Sequence, residues 1–212
     1  MITVHHLDNS RSQRVLWMLE ELGAPYAIKA WQRDGETRLA PPGLKAVHPL
    51  GKSPVIEDDG TIVHESGAIL QYLAERHGGG RLLPAPGTPE AVAHLQWMHY
   101  VEGSAMLPLM LALYVGRLGE AGGPLWPRIE SEIANHLDYI AGALGERAFL
   151  VGEDLTAADV NLVFALEAAS AFGKLGARAN LAAYLARMQA RPAYVRAIEK
   201  GGPYDLGGNT RR

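Results

Sequence analysis

Two positions in the sequence place hydroxyl and carboxylate side chains beside free backbone groups, a combination that suits small charged ligands. Ser53-Pro54 precedes a short apolar run, where we expect the proline to enter a strand through a cis X-Pro bond. Glu65-Ser66 precedes a helical pattern, so a carboxylate and a hydroxyl meet the free N–H groups of a helix N-terminus. Together these donors and acceptors predict a binding site for a small zwitterion.

The elements around these residues follow from turn chemistry and hydrophobic spacing. Asp59-Gly60 favours a type I′ turn, so the apolar runs at 55–58 and 61–64 are predicted to form an antiparallel hairpin. Apolar residues at helical spacing then predict a helix over 66–77. The hairpin and the helix start therefore position the proposed binding groups.

The residues before the hairpin predict a strand, a helix and a second strand. Alternation over 2–6 indicates the first strand, a helical face begins near residue 11 and ends at Gly23, and 26–31 forms the second strand. This order implies a right-handed parallel crossover. With one helical turn at 43–47, the first part of the chain has the order βαβ then ββα, which is thioredoxin-like.

The second half of the chain reads as helix throughout. We therefore predict an α/β thioredoxin-like domain over 1–80, a Gly- and Pro-rich linker over 81–89 and an all-α domain over 90–212. The expected features are a long apolar helix over 90–118 kinked near Gly103 and Pro108, a helix over 125–145, a capping box at Thr156-x-x-Asp159 opening a buried helix, a helical face over 181–188, a last helix from Pro192, and a loose tail from Gly201.

Composition excludes several classes of function. The 212 residues are 48% hydrophobic and 20% charged with a net charge of −3, which fits a globular protein and argues against nucleic-acid binding. The chain has no cysteine, so any thiol chemistry must use a thiol of the ligand. It has no signal-like or membrane-spanning stretch, so we expect a cytoplasmic protein without membrane partners. The histidines lack metal-ligand spacing, and no metal is expected.

Ser53-Pro54 and Glu65-Ser66, in this order on a hairpin and a helix start, resemble the glutathione transferase family. The resemblance implies that the main chain of Ser53, before cis Pro54, binds the cysteinyl part of glutathione. It also implies that Glu65 and Ser66 hold the γ-glutamyl end and that Lys52 lies near the glycyl carboxylate. Taken alone, Ser66 is equally suited to cap the helix, Glu65 to interact with the helix dipole and Lys52 to face solvent.

Two further segments place the resemblance within the family. LDNSRSQRVLWMLEELG and APPGLKAVHPLGKSP look most like a fungal and bacterial branch of serine-type enzymes. The first strand and its following loop contain no tyrosine, and the chain has no cysteine, which disfavours the other two mechanisms of the family. The resemblance covers about 1–200 and implies a homodimer with a role in detoxification.

Ser10 is the predicted catalytic residue, because Ser10-x-x-x-Arg14 resembles the serine-type pattern. A thiol with a pKa of roughly 8.5 needs roughly 2.7 kcal/mol to lower that pKa by about two units. One hydroxyl hydrogen bond, about 1.5–3 kcal/mol, and a helix N-terminus, about 0.3–1 kcal/mol, are sufficient. Ser12 and Asn9 remain alternatives, and Ser10-x-x-Gln13 also has the form of a capping box, which would leave the hydroxyl a structural role.

The second substrate is expected to be a small hydrophobic electrophile. A stripe at helical spacing, together with the first loop, predicts its pocket, although such a stripe also suits a helical core. The pocket residues are Asn9, Met106, Met110 and Tyr114. We expect a glutathione transferase; the alternatives are a glutathione-dependent peroxidase, isomerase or dehalogenase, and a non-catalytic binding or carrier protein.

Overall fold

The computed structural model describes residues 1–202 and 204–206, so most of the tail predicted to be loose from Gly201 lies outside the described residues. The strands are β1 Ile2–Leu7, β2 Tyr26–Trp31, β3 Val55–Asp58 and β4 Thr61–His64. The α-helices are α1 Ser12–Leu22, α2 Ser66–His77, α3 Pro89–Tyr100, α4 Met106–Gly116, α5 Trp126–Leu144, α6 Ala157–Ala171, α7 Ala179–Gln189 and α8 Pro192–Gly201. These bounds fall within a few residues of the predicted ones, apart from the long helix over 90–118.

The first compact unit contains Met1–Arg81 and Ala190–Tyr204. Its four strands form one sheet in the order β2-β1-β3-β4, with β1 parallel to β2 and the other pairs antiparallel. The side chains of β1 alternate across the sheet, so His5 contacts Trp31 on one face and His6 contacts the α1 side on the other. The predicted thioredoxin-like order βαβ-ββα is confirmed.

Helix α8 packs on α1, which differs from the predicted boundary that placed it with residues 90–212. Arg191 forms two bonds with the carboxylate of Glu21, at 2.6 and 3.0 Å. Glu20 accepts a bond from Arg196 at 2.8 Å and another from Lys200. The amphipathic last helix therefore completes the first unit, although it follows the helical unit in sequence.

The hairpin forms as its turn residues require. Asp59 and Gly60 have φ values of 47° and 84°, which are the left-handed conformations of a type I′ turn. The peptide bond between Ser53 and Pro54 is cis, as predicted. The cis peptide therefore directly precedes β3, and α2 begins shortly after β4, both at the positions expected from sequence.

The second unit contains Leu82–Gln189 and, of the described tail, Asp205 and Leu206. The segment predicted as one kinked helix is instead α3 and α4 joined by a π-helical turn at Val101–Ala105. The irregularity includes Gly103, while Pro108 lies in the first turn of α4, where a missing N–H costs little. Helix α6 is buried along most of its length, as predicted, and begins with the Thr156–Asp159 capping box. Among the described residues, no helix has the length and apolarity needed to cross a membrane.

Candidate functional site

The junction between β1 and α1 does not form the capping box that its sequence pattern allows. The N-cap position of α1 is Arg11, without a side-chain capping bond. The hydroxyl of Ser10 accepts the backbone N–H of Ser12 at 3.2 Å, two residues on. The side-chain amide of Gln13 is buried and has no partner among the described residues. The Gln13 side chain therefore does not bond back to the Ser10 backbone, and the capping box that Ser10-x-x-Gln13 would allow is not formed.

Three side chains at this junction form a continuous line of hydrogen bonds. The hydroxyl oxygens of Ser10 and Ser12 lie 2.8 Å apart. Ser12 Oγ lies 2.8 Å from Nδ1 of His6. His6 Nε2 lies 3.0 Å from the backbone carbonyl oxygen of Gly201, in α8. The line thus runs from the α1 N-terminus to the C-terminus of α8.

The two serines differ in their surroundings. Ser12 has no exposed surface, and its hydroxyl also lies within bonding distance of the backbone N–H and C=O of Leu7, at 3.2 and 3.3 Å. Ser10 retains 6% exposure at the outer end of the line. Of the two hydroxyls, that of Ser10 is the one closer to solvent, while Ser12 connects it to His6.

The burial of His6 favours its neutral form at this position. Burial lowers the pKa of His6 below its usual value, and this effect outweighs the carbonyl of Gly201 and the charge of Asp8, which raise it. Because a carbonyl only accepts, Nε2 of neutral His6 must carry the proton, and Nδ1 must accept. The place of His6 in this line of hydrogen bonds was not predicted, because a single histidine in a strand has no diagnostic spacing.

The predicted glutathione-binding residues lie around the cis peptide of β3. Ser53 donates its hydroxyl to the backbone carbonyl of His5 at 2.9 Å, which fixes its side chain toward the sheet. Pro54 is buried, while Lys52 is exposed. The rings of His48 and His64 contact each other at an interplanar angle of 32°, with their centroids 4.1 Å apart. The structure thus keeps the Lys52 ammonium at the surface.

The β4–α2 junction exposes a carboxylate on an unfavourable backbone. Glu65 is the N-cap of α2 and has φ 71° and ψ 126°, a conformation that non-glycine residues rarely adopt. Its side chain is 71% exposed, and its carboxylate lies 3.6 Å from Nδ1 of His64. Ser66 is buried in the first turn of α2. Such outliers are concentrated at ligand-binding sites, where the surrounding structure maintains them.

The four predicted electrophile-pocket residues fall in both units. Asn9 lies in the β1–α1 loop of the first unit with a φ of 46°. In the second unit, Met106 is buried, Met110 is partly buried and Tyr114 is 56% exposed. Met106 thus contributes to the helical core, which is the alternative that the sequence left open for this stripe. A role for these four residues in binding an electrophile remains a prediction.

The described residues include no group of three or more His, Asp or Glu side chains arranged to hold a metal ion. The groups that the β1–α1 junction offers to a ligand are its hydroxyls and the helix N-terminus, with the imidazole behind them. A hydroxyl at a helix N-terminus can donate to an anion, and an exposed carboxylate can bind an ammonium group. The arrangement suits a ligand that carries both an acidic thiol and an amino-acid end.

Comparison with known proteins identifies relatives over most of the chain. Residues 10–76 match the glutathione S-transferase N-terminal domain, and residues 106–192 match the glutathione S-transferase C-terminal domain. Glutathione S-transferase 3 of Schizosaccharomyces pombe is 38% identical over 184 residues, covering 80% of this chain and 74% of that protein. Glutathione S-transferase 1 of Saccharomyces cerevisiae is 33% identical over 190 residues, covering 80% of this chain and 81% of that protein.

Solved structures agree with these relatives. A glutathione S-transferase from Actinobacillus pleuropneumoniae superposes with a TM-score of 0.87 at 33% identity, covering 97% of this chain and 95% of that one. A glutathione transferase family member from Pseudomonas fluorescens, solved with two glutathione molecules bound, superposes with a TM-score of 0.78 at 29% identity. The match covers 93% of this chain and 92% of that one. The sequence matches and the fold lead to one conclusion: this chain belongs to the glutathione S-transferase family of enzymes.

Proposed function

We propose that the protein conjugates glutathione to small apolar electrophiles and that the Ser10 hydroxyl stabilises the glutathione thiolate. The observation that carries this proposal is the position of Ser10 at the N-terminus of α1, with its hydroxyl at the outer end of the hydrogen-bonded line. A hydroxyl bond to an anion contributes about 1.5–3 kcal/mol, and the helix N-terminus adds about 0.3–1 kcal/mol. Together they are sufficient to shift a thiol pKa by about two units.

The rest of the first unit provides groups for the other parts of glutathione. In this proposal, Glu65 binds the γ-glutamyl ammonium, and Ser66 and the α2 N-terminus bind its carboxylate. The main chain of Ser53, beside cis Pro54, pairs with the cysteinyl residue, and Lys52 binds the glycyl carboxylate. The exposed side chains of Glu65 and Lys52 support these roles.

A small hydrophobic electrophile is the proposed second substrate, with Asn9, Met110 and Tyr114 as candidate contacts. The same thiolate could serve a peroxidase, an isomerase or a dehalogenase, so the substrate panel must include those reactions. A non-catalytic carrier would bind glutathione through Glu65 and Ser66 without any turnover. The buried hydrogen-bonded line behind Ser10 favours an enzyme, because ligand binding alone would not require it.

The proposal includes a cytoplasmic homodimer that acts in detoxification. Helices α3 and α4 expose large apolar side chains, which are favourable in an interface between subunits. These are Val92, Leu95, Leu107, Leu111 and Tyr114. Light scattering of the full chain at micromolar concentration should give a dimer mass, and a monomer mass would contradict this part of the proposal.

The test of the proposed function is the effect of Ser10→Ala on turnover of a chloronitroarene. At pH 6.5 we expect turnover to fall about ten- to hundredfold, because one charge-assisted bond to the thiolate is lost. Glutathione affinity should change little, and the deficit should shrink as pH rises and the thiol ionises unaided. A parallel pH–rate profile for the Ser10→Ala and wild-type enzymes would contradict the role of Ser10.

Glutathione binding without turnover of any electrophile, peroxide or isomerisation substrate would favour the carrier. The matched control is Ser131→Ala, because Ser131 is an exposed serine on α5 outside the proposed site. That variant should retain both the rate and the pH profile.

A further inference from the structure

We propose that His6 is the terminal acceptor of the glutathione thiol proton, which reaches it through the hydroxyls of Ser10 and Ser12. The inference rests on the proposed function, because it requires glutathione to bind with its sulfur beside Ser10. It adds a residue and a proton route to that site. His6 acts through two serines and is therefore a positioning and proton-storing residue rather than one that touches the substrate.

The direction of each hydrogen bond follows from the chemistry of its ends. His6 Nε2 faces the carbonyl of Gly201 at 3.0 Å, so it donates. In the neutral imidazole, Nδ1 then accepts. We assign the Ser12 proton to this bond, because Ser12 Oγ lies 2.8 Å from Nδ1 and 3.3 Å from its other acceptor, the Leu7 carbonyl. Ser12 has only one hydroxyl proton, so Ser10 Oγ at 2.8 Å must donate to Ser12. While His6 is neutral, the Ser10 proton therefore points inward.

This resting orientation is the opposite of what a thiolate needs. Ser10 Oγ already accepts the Ser12 N–H at 3.2 Å, and its remaining lone pair can accept the S–H of a bound thiol. It can donate outward only when its proton leaves the bond to Ser12, either by rotation of the hydroxyl or by transfer along the line. We infer transfer, because reversal of the whole line keeps the Ser10–Ser12 and Ser12–His6 hydrogen bonds intact while Ser10 donates to the thiolate.

The reversal balances when each group passes on one proton. The S–H bond breaks as sulfur gives its proton to Ser10 Oγ, and Ser10 gives its original proton to Ser12. Ser12 gives its own to Nδ1 of His6, where an N–H bond forms. Both hydroxyls keep one proton each, sulfur becomes the thiolate, and His6 becomes an imidazolium that still donates to Gly201.

The charge of a bound thiolate is needed for His6 to hold that proton. Without a ligand, burial is the largest influence and lowers the pKa of His6, whereas the Gly201 carbonyl and the charge of Asp8 raise it, and a thiolate beside Ser10 would add a further negative charge that raises it. α1 turns the neutral Ser12 toward the ring, α8 presents the carbonyl of Gly201, and the partner of His6 on β2 is Ala30. Lys200, the charged neighbour of Gly201, is paired with Glu20. The imidazolium would thus meet acceptors and a negative charge.

The close packing of Gly201 supports a defined position for this contact. A Cβ at residue 201 would lie 2.7 Å from the Gln13 side-chain oxygen, 2.8 Å from Leu16 Cδ1 and 3.3 Å from His6 Nε2. A larger residue at 201 would force the Gln13 and Leu16 side chains to shift. The carbonyl that fixes the His6 tautomer is therefore held by packing as well as by its hydrogen bond.

The test measures where the thiol proton goes. Glutathione and S-methylglutathione are titrated into the full-length wild-type protein at pH 7 by calorimetry in two buffers of different ionisation enthalpy. Thiolate formation is followed by its ultraviolet absorbance. We expect thiolate to form with no net proton release relative to S-methylglutathione, because His6 retains the proton. Release of one proton per thiolate formed would overturn the role of His6 while leaving that of Ser10 intact.

Two variants extend the test, and His77→Asn is the matched control. His6→Asn keeps a hydrogen-bonding group near Ser12 but cannot store a proton, so the thiolate fraction at pH 7 should fall about tenfold. Thiolate should return at higher pH with release of one proton. Ser12→Ala should act in the same way, because it breaks the line without touching His6. The control alters a histidine that instead bonds Asp58 at 2.7 Å, and it should change neither readout.

The outcomes separate this inference from the proposed function. An unchanged thiolate fraction in folded His6→Asn would overturn the proton route only. Glutathione binding to the wild-type protein without thiolate at any pH would overturn both the Ser10 role and the route. The wild-type proton count remains decisive even if a variant fails to fold.

Discussion

The starts of α1 and α6 carry the same sequence pattern but use it in opposite ways. At α6, Asp159 reaches back to the Thr156 backbone N–H at 2.8 Å and closes a capping box. At α1, Ser10-x-x-Gln13 has the same form, yet Gln13 makes no such bond and Ser10 turns to Ser12. The comparison teaches that a capping pattern whose second member fails to reciprocate leaves a hydroxyl for other uses.

The two helix starts differ because Asp159 and Gln13, the third residues after Thr156 and Ser10, lie in different surroundings. Asp159 accepts four bonds, from the N–H groups of Leu150 and Thr156 and from the hydroxyls of Thr156 and Tyr184, at 2.8–2.9 Å. Gln13 instead lies on the buried face of α1 beside Gly201. The start of α6 is therefore a closed structural centre, whereas the start of α1 lacks a side-chain cap and its Ser10 hydroxyl bonds to Ser12.

The largest expected effect is on stability, from Asp159→Ala. This change leaves the buried N–H groups of Leu150 and Thr156 without an acceptor, and it should lower the free energy of unfolding by about 3–5 kcal/mol. Urea denaturation followed by circular dichroism measures the loss. A loss below about 1 kcal/mol would mean that the α6 capping box is dispensable and that the two helix starts do not differ.

A third helix start, at Glu65, predicts an effect on binding instead. Glu65→Gln removes the charge proposed to bind the glutathione ammonium, and it should weaken glutathione binding about ten- to hundredfold. The melting temperature should stay nearly constant, because this carboxylate is exposed and the substitution alters only its contact with His64, at 3.6 Å. Calorimetric titration and thermal unfolding give the two values.

Glu75→Gln is the control for this prediction, because Glu75 lies on the same helix and bonds only Gln71 at its exposed surface. It should bind glutathione as the wild type does. Equal losses of stability and affinity in Glu65→Gln would instead assign Glu65 to the structure of the helix start.

The smallest expected effect is a gain in stability from Gln13→Met. The amide of Gln13 is buried without a described partner, so an apolar side chain of similar volume should stabilise the fold by about 1 kcal/mol. Urea denaturation of this variant alongside Asp159→Ala makes the comparison direct. A loss of more than about 1 kcal/mol would show that Gln13 does support the start of α1.

Most of the first unit could be predicted because its signals are local. Asp59-Gly60 determines the hairpin turn, and Gly23, with a φ of 64°, ends α1 as expected of a glycine C-cap. The membership of α8 in this unit could not be predicted. Its pairing with Glu20 and Glu21 joins residues more than 150 positions apart, and no local pattern specifies such a contact.

The candidate site could be predicted only in part. The cis bond at Pro54 and the helix start at Ser66 followed from dipeptides and spacing, and both are present. The line from Ser10 to His6 could not be foreseen, because it depends on the side-chain direction of one strand residue and on the carbonyl of Gly201. Ser12 was considered as an alternative catalyst and is instead fully enclosed.

The return of α8 to the first unit has a consequence for the order of assembly during synthesis. The ribosome must complete Ala190–Tyr204 before α1 can acquire its last helical neighbour, so the first unit emerges early and is finished late. Closing this contact carries the entropy of a long intervening loop unless the helical unit has already folded. Nascent chains therefore lack the α8 side of the Ser10 junction until the whole helical unit has been synthesised, and the complete junction is a late product of folding.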